Sequence, residues 1–399
     1  MGCRASYVPL GEIAKFESGG TPSKKNKRYW DGSIPWISAK TLVGDTVYES
    51  DLAVTKEGLE AGSKLAPKGS LLLLTRGSGL FKRIPLAIAG KEVAFNQDIK
   101  CVNSAAKGIS NRYLFYALTS LEPSISAMLE TTGIGAGKLA TDRLKALPVP
   151  VLDEAARDKV THFADCIYRK IHLNTKLNGY LEELFDLIFQ RLIDDAGSDW
   201  DTASLLDIAD YKNGLAMQKF RPDTGDEGLP VLKIRELGQG FCGSDAERCK
   251  SGIVDSAKVH DGDLIFSWSG TLLLDFWAGG NAGLNQHLFK VTSSAYPSWF
   301  YYGWTKHHLA RFIMLAKDRA TTMGHIKRSA LAESEVVIPP ENILLSQTQL
   351  MQPIIDQYVM SKIEARKLAV FRDSLLPKLM SGEIDVSEVN LTQLNSHLA

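Results

Sequence analysis

Between Asp153 and Asp195 the apolar side chains fall into a regular row. Ile167, Ile171, Leu181, Phe185, Ile188 and Leu192 are spaced so that Asn174 and Asn178 complete an unbroken alternation of four- and three-residue steps. That is coiled-coil spacing and predicts one long helix. Leu173, Leu177, Tyr180, Leu184 and Leu187 form a second apolar row beside the first. An apolar side this wide predicts packing against another helix. Pro148 and Pro150 bar an earlier helix start, and Gly197 supplies the expected exit. At about 1.5 Å per residue, a helix of about 40 residues is a rod on the order of 60 Å long. Globular sequence flanks it on both sides, so the rod reads as a spacer.

The flanking halves share one layout. In the first, Tyr7 to Phe16 reads as strand or short helix, Ile34-Pro35-Trp36-Ile37 as a strand and Ser70 to Thr75 as a buried strand. Tyr113 to Leu129 has helical spacing. The second half repeats these landmarks 195 positions on: Glu12-Ile13-Ala14 matches Asp207-Ile208-Ala209, Gly19 matches Gly214, and Ile34-Pro35 matches Leu229-Pro230. With a shrinking offset, Gly69-Ser70-Leu71 pairs with Gly262-Asp263-Leu264, Asn96-Gln97 with Asn285-Gln286, and Val149-Pro150 with Ile338-Pro339. A second helical stretch, Ser346 to Ser381, follows that proline with Ile355, Val359, Ile363, Leu368, Phe371, Leu375 and Leu379 on its apolar face, and Gly382 ends it. The predicted class is α+β: two tandem α/β domains, each followed by a long helix, with the helices pairing as an antiparallel coiled coil in a pseudo-two-fold molecule. The expected boundaries are 1–150 (first domain), 151–196 (central helix), 197–340 (second domain), 341–384 (C-terminal helix) and 385–399 (tail). Asn174 and Asn178 lie on the expected seam, where they would set register at some expense of stability.

A hydrophobic content of 44 % and charged content of 23 % belong to an ordinary globular chain. No apolar run is long enough to span a membrane, and the start of the chain lacks the layout of a secretion signal. Ser6 gives Gly2 the outline of a myristoylation site, but nothing else addresses a membrane. The five cysteines are scattered without a C-x-x-C pair, so neither zinc nor a disulfide framework is expected, and a reducing cytoplasm fits. The zero net charge conceals an asymmetry: residues 1–150 hold 20 Lys/Arg against 13 Asp/Glu. A basic first domain suits a polyanion.

Catalytic signatures are weak. Gly133-Ile134-Gly135-Ala136-Gly137-Lys138 imitates a phosphate loop, but Thr132 stands where the first glycine is needed and Leu139 where Ser or Thr would hold magnesium, so a turn before a helix is expected. Gly279-Gly280-x-x-Gly283 lacks a dinucleotide context, and Pro222-Asp223 is followed by no acidic partner for a two-metal site. His307 and His308 are adjacent and cannot share one helix face for zinc. The Asn/Asp-Pro-Pro-aromatic tetrapeptide of amino-methyltransferases is missing, so the chain is not expected to be an enzyme alone.

Binding chemistry is better represented. Thr21, Ser23, Lys24, Lys25, Lys27 and Arg28 form a polar, basic loop beside Tyr29 and Trp30, the mixture that phosphate contact and groove reading require. Lys40, Arg76, Lys82, Arg83 and Lys138 add cations in the first half; arginine at a strand exit can reach guanine O6 and N7 with both forks. Lys212, Lys219, Arg221, Lys233, Arg235, Lys327 and Arg328 occupy related places in the second. Asn96-Gln97 and Asn285-Gln286 are candidates both for contact and for satisfying buried backbone. Trp36, Trp268, Trp277 and Trp304 are expected in the core.

Leu10 to Gly19 with Gly20-Thr21-Pro22, Ile34 to Ile37, Gly69 to Gly77, Asn96-Gln97, Leu181-Glu182-Glu183-Leu184-Phe185 and Leu375 to Ile384 together resemble the specificity (S) subunit of type I restriction-modification systems. The resemblance covers essentially the whole chain. It implies that each globular unit is a target-recognition domain reading one half of a bipartite sequence on double-stranded DNA. It also implies that the helices set the unread gap and dock two methyltransferase (M) subunits, with restriction (R) subunits joining them. S-adenosylmethionine, ATP and Mg would sit on those partners, and this chain would hold no cofactor. Ile167, Ile171, Leu181, Phe185, Ile188, Ile355, Val359, Ile363 and Leu375 would pack the spacer helices. The DNA-recognition subunit of a type IIB-like system shares this layout; a coiled-coil scaffold without DNA binding is the reading from another class.

Overall fold

The computed structural model describes residues 5–133, 135–318 and 325–385; Gly2, Cys3, Ile134 of the glycine-rich loop and the tail from residue 386 fall outside them. The chain divides into two compact units, residues 1–168 with 370–399 and residues 169–369, so the division falls inside both long helices.

In the first unit a four-stranded sheet runs in the order Ala53–Val54, Trp30–Ile37, Val93–Phe95, Leu65–Ala66, and a five-stranded sheet runs Ala14–Ser18, Ile99–Ser104, Leu71–Leu74, Leu86–Ala89, Thr46–Val47. The four leucines 71–74 are each at most 1 % exposed, as a continuous apolar run in a central strand requires. Ser6–Pro9 pairs antiparallel with Pro148–Val151, the strand that leads into the first long helix. The helix expected over Tyr113 to Leu129 is two helices, Asn111–Ser120 and Glu122–Ser126. Pro123, in the first turn of the second, has no N–H to continue the earlier one.

The second unit repeats this topology with four strands in place of five in its second sheet. Its sheets run Arg248–Cys249, Leu229–Leu232, Ala282–Leu284, Lys258–Val259 and Asp210–Asn213, Leu288–Thr292, Leu264–Ser267, Leu274–Phe276. The same step is parallel in each unit, Val93–Phe95 on Trp30–Ile37 and Ala282–Leu284 on Leu229–Leu232. Asp201–Ser204 pairs with Glu335–Ile338 just before the second long helix.

The first long helix is Glu154–Asp194, with the Asp153 carboxylate accepting from the Ala156 N–H at 2.9 Å as its N-cap. It ends before Gly197, which has no positive φ, so Gly197 is not the exit the sequence suggests. A tight turn from the Ala196 N–H to the Ile193 carbonyl (3.2 Å) closes it instead. The second is Glu341–Ser381, starting five residues before Ser346 and ending at Gly382 with φ +74°. It continues through Pro353 and Pro377, each of which removes a helix hydrogen bond. Met351, Ile354 and Ile355 beside the one, and Leu376, Leu379 and Met380 beside the other, are buried and offset that loss. No helix among the described residues is long and apolar enough to cross a membrane.

The helices pair antiparallel inside each unit. In the first, Ala156 and Val160 lie with Leu379 and Ile384, while Phe163 lies edge-on to Phe371 and the Arg372 guanidinium sits 4.8 Å from the Tyr168 ring centroid. In the second, buried Asn174 donates to Glu364 at 2.8 Å, and Asn178 accepts from the Ser361 hydroxyl. Ile167, Phe185 and Ile355 are buried, and Ile171, Leu181, Ile188, Val359, Ile363 and Leu375 are half-buried. The second apolar row departs from expectation. Leu173, Leu177, Tyr180, Leu184 and Leu187 are 37–71 % exposed, because the seam uses only the first row.

Gly19 and Gly214 recur for a steric reason. A Cβ on Gly19 would penetrate the carbonyl oxygens of Phe95 and Asn96, and one on Gly214 those of Leu284 and Asn285. Gly19→Ala or Gly214→Ala should therefore lower stability by roughly 2 kcal/mol or more in a denaturant melt. Gly179→Ala, in the interior of the first long helix with open space around it, should instead raise it by up to about 1 kcal/mol.

Candidate nucleic-acid interface

The basic loop of the first unit is a built structure. Asn26 caps a short turn at Lys27–Tyr29 by accepting from the Arg28 N–H at 3.1 Å. The Trp30 indole donates to the Ser23 carbonyl at 3.2 Å, and the Thr55 hydroxyl donates to the Arg28 carbonyl at 2.7 Å. Trp30 stands edge-on to buried Trp36, whose indole donates to the Gly20 carbonyl at 3.0 Å. These contacts hold the backbone while Ser23, Lys24, Lys25, Lys27 and Arg28 stay exposed. No acidic side chain among the described residues pairs with the loop's four cations.

Beside this loop the chain turns a corner at Asn96-Gln97-Asp98. Asn96 is 6 % exposed and accepts from the Asp98 N–H at 3.1 Å, so it satisfies the backbone of the turn. Gln97 is exposed, and the Thr21 hydroxyl donates to its side-chain oxygen at 2.5 Å. A cleft of about 520 Å³ opens here, with Ser18, Arg76, Gln97, Lys100, Lys138 and Asp142 in its wall. Arg76 and Lys138 face each other across a short antiparallel pairing. The structure thus brings Thr21, Arg76 and Lys138 together and adds Lys100, whose ammonium reaches the Ser18 hydroxyl. Nothing in the sequence singles out Lys100, because it alternates with buried neighbours in an ordinary strand. The phosphate-loop lookalike is the hairpin that delivers Lys138, closed by Thr132 N–H to the Ala136 carbonyl at 2.8 Å.

The remaining candidates of this unit lie elsewhere. Lys40 pairs with Asp51 at 2.9 Å, and that hydrogen bond holds the Asp51 carboxyl below the usual range. Lys82 and Arg83 line a different cavity with Tyr168, Arg372 and Asp45, whose carboxyl is pushed up by burial.

The second unit has the same corner on the same backbone. Asn285 accepts from the His287 N–H at 3.2 Å as Asn96 does from Asp98. Asn96 N–H bonds Ile37 carbonyl and Asn285 N–H bonds Leu232 carbonyl; Thr75 bonds Asp98 and Trp268 bonds His287; Leu139 bonds Thr75 and Ile326 bonds Trp268. The side chains differ. Ser269 pairs with His325 where Arg76 pairs with Lys138, and its hydroxyl lies 3.1 Å from His287 Nδ1. Trp268 is half-buried rather than core, 5.9 Å from the His287 ring and 5.8 Å from Phe289; Trp36, Trp277 and Trp304 are buried as expected.

The cations of this unit are largely engaged. Lys212 pairs with Asp210, Lys233 with Glu247, and Arg235 with Glu236 and Asp245, while Arg328 donates to the Tyr211 carbonyl. The hydrogen bond from Lys233 holds Glu247 below the usual carboxylate range. Lys40 and Arg235, 195 positions apart as the repeat requires, are thus both ion-paired. Lys219, Arg221 and Lys327 are exposed without an ion pair among the described residues. His308 donates to the Glu335 carbonyl at 2.8 Å and Asp223 pairs with Lys250, so both belong to local packing.

One scaffold used twice, each copy with an ordered polar corner and one with a basic cleft, defines a tandem recognition protein. A family model for the type I restriction modification DNA specificity domain matches residues 5–183 and again 197–370. The chain belongs to that family, and its function is sequence-specific DNA binding as the specificity subunit of such a system, with two target-recognition domains in tandem. It is 25 % identical to the MjaIX specificity subunit of Methanocaldococcus jannaschii over 95 % of this chain and 93 % of that one. It is 32 % identical to the EcoR124I/EcoR124II specificity subunit of Escherichia coli over 45 % of this chain and 47 % of that one. Among solved structures, the type I S subunit from M. genitalium superposes with a TM-score of 0.60 at 15 % identity, covering 94 % of this chain and 96 % of that one.

Proposed function

We propose that the chain directs a type I restriction-modification complex to a split target, each unit reading one half of a bipartite sequence on double-stranded DNA. The two long helices set the number of base pairs left unread between the halves. The observation that carries this reading is the duplication: one sheet order, and one corner of backbone hydrogen bonds, occur twice in a single chain. Duplicated readers suit a target in two parts. Lys24, Lys25, Lys27 and Arg28 hold phosphates and set register, which is the usual task of contacts that carry no sequence information.

The exposed row Leu173, Leu177, Tyr180, Leu184 and Leu187 is the seat for a methyltransferase subunit. Its support is a heptad-spaced apolar row on a helix whose other apolar row is already occupied. Two such subunits, with restriction subunits on them, complete the complex in the cytoplasm. S-adenosylmethionine, ATP and Mg belong to those partners, and this chain contributes selection rather than chemistry.

Three outcomes test the scheme. Replacing Lys24, Lys25, Lys27 and Arg28 by Ala should weaken binding to duplex DNA and reduce the slope of log K against log salt by about 0.9 for each phosphate no longer neutralised; an unchanged slope in a fluorescence titration removes the loop from the interface. Taking one heptad out of each long helix should alter the gap in the methylated sequence and preserve both halves; mapping of methylated adenines reads this directly. Leu177→Asp with Leu184→Asp should abolish co-purification of the methyltransferase while the melting temperature of the chain stays put.

A further inference from the structure

The two corners share a backbone and differ in what they offer a base. In the first unit donors prevail at the turn, with one exposed carboxylate, Asp142, in the cleft wall. Arg76 and Lys138 are cations, and the acceptor oxygen of Gln97 is already taken by the Thr21 hydroxyl, leaving its amide N–H₂. In the second unit Ala216 stands at the place of Thr21, two residues past Gly214 as Thr21 is past Gly19, so no hydroxyl is present to occupy the oxygen of Gln286. Phe289 stands at the place of Lys100, since it pairs with Asn213 as Lys100 pairs with Ser18. Ser269, 6 % exposed, holds His287 through Nδ1 and leaves the exposed imidazole beside Gln286, their side-chain nitrogens 3.4 Å apart.

We propose that these corners determine specificity and read different bases: Arg76 with Gln97 selects guanine in one half-site, and Gln286 selects adenine in the other, with His287, steadied by Ser269, as its positioning residue. The inference rests on the reading that each unit contacts one half-site. Guanine presents two acceptors, O6 and N7, in the major groove, which a corner of donors matches; adenine presents the N7 acceptor and N6 donor, which the Gln286 amide matches with its oxygen and the N–H that His287 does not engage. The same lattice can therefore serve two sequences because only side chains outside it change.

Selection of binding sites from a random duplex library by the full chain, purified with whatever subunits accompany it, tests this. Arg76→Ala should lower the preference for guanine about tenfold or more at one position of one half-site, and Gln286→Ala should do the same for adenine in the other half alone. Thr21→Ala, which frees the Gln97 oxygen, should move the first half-site toward adenine at the position Gln97 faces; a new preference of this kind cannot come from a weakened fold. If Gln286→Ala leaves every position unchanged, or its effect falls on guanine, the assignment is overturned. A half-localised effect of Arg76→Ala would in that case still leave the two-reader scheme standing. If both variants alter both halves alike, the scheme of one unit per half-site falls with the assignment.

Discussion

Each recognition domain depends on a core that it does not complete from its own contiguous sequence. In the first unit the apolar cluster around the four leucines takes in Val160 and Ala164 from the start of the first long helix and Leu376, Leu379 and Met380 from the end of the second. In the second, Phe185, Phe189 and Leu192 join Met351, Ile354 and Ile355 around Phe266, Trp299 and Phe312. Hydrophobic burial is non-directional and scales with area, so a sheet with one open face will take whatever apolar helix end is available. Here two helix ends of opposite polarity fill that face. The domain is folded only when segments far apart in the chain have met, as the bond from the Ala5 N–H to the Ser381 carbonyl illustrates.

On that foundation the corner lattice divides the sequence into positions that are dictated and positions that are free. Gly19 and Gly214 are dictated because two carbonyls occupy the space of a Cβ, and Asn96 and Asn285 because the N–H two residues on takes an acceptor of that length. Arg76, Lys100 and Lys138 answer to no such demand, and at their stations the second copy has Ser269, Phe289 and His325. One fold that carries two different surfaces needs this separation of scaffold from surface.

That separation also explains what the sequence disclosed. The repeat was legible at Gly19 and Gly214, at the Asn-Gln pair and at the prolines in or just after strands, Pro35 with Pro230 and Pro150 with Pro339, since backbone geometry restricts those residue types. The long helices were legible from spacing. The ion pairs of Lys233 with Glu247 and Arg235 with Asp245 were not, because partners fourteen and ten residues apart meet through a turn whose course no local pattern records. Nor could spacing distinguish the covered apolar row from the exposed one: both have the same period, and only the position of the partner helix decides between them. The merger of the chain's last helix into the first domain's core was equally hidden, since periodicity marks a face as apolar without naming what covers it.

The seam itself explains why a polar register is tolerated there. At the middle of the pairing Asn174, 3 % exposed, gives its amide to Glu364, and Asn178 meets Ser361. Leucine at those places would bury more apolar area and hold the helices more tightly, but it would do so equally well after a slip of one heptad. With asparagine, a slip leaves a buried amide without its carboxylate partner, at about 1–3 kcal/mol for the unsatisfied group. Stability is thus exchanged for a single register, as a polar residue at a core position does in other coiled coils. The same helix segments close the core of the second unit, so a slip would also carry Met351, Ile354 and Ile355 away from Phe185 and Phe189.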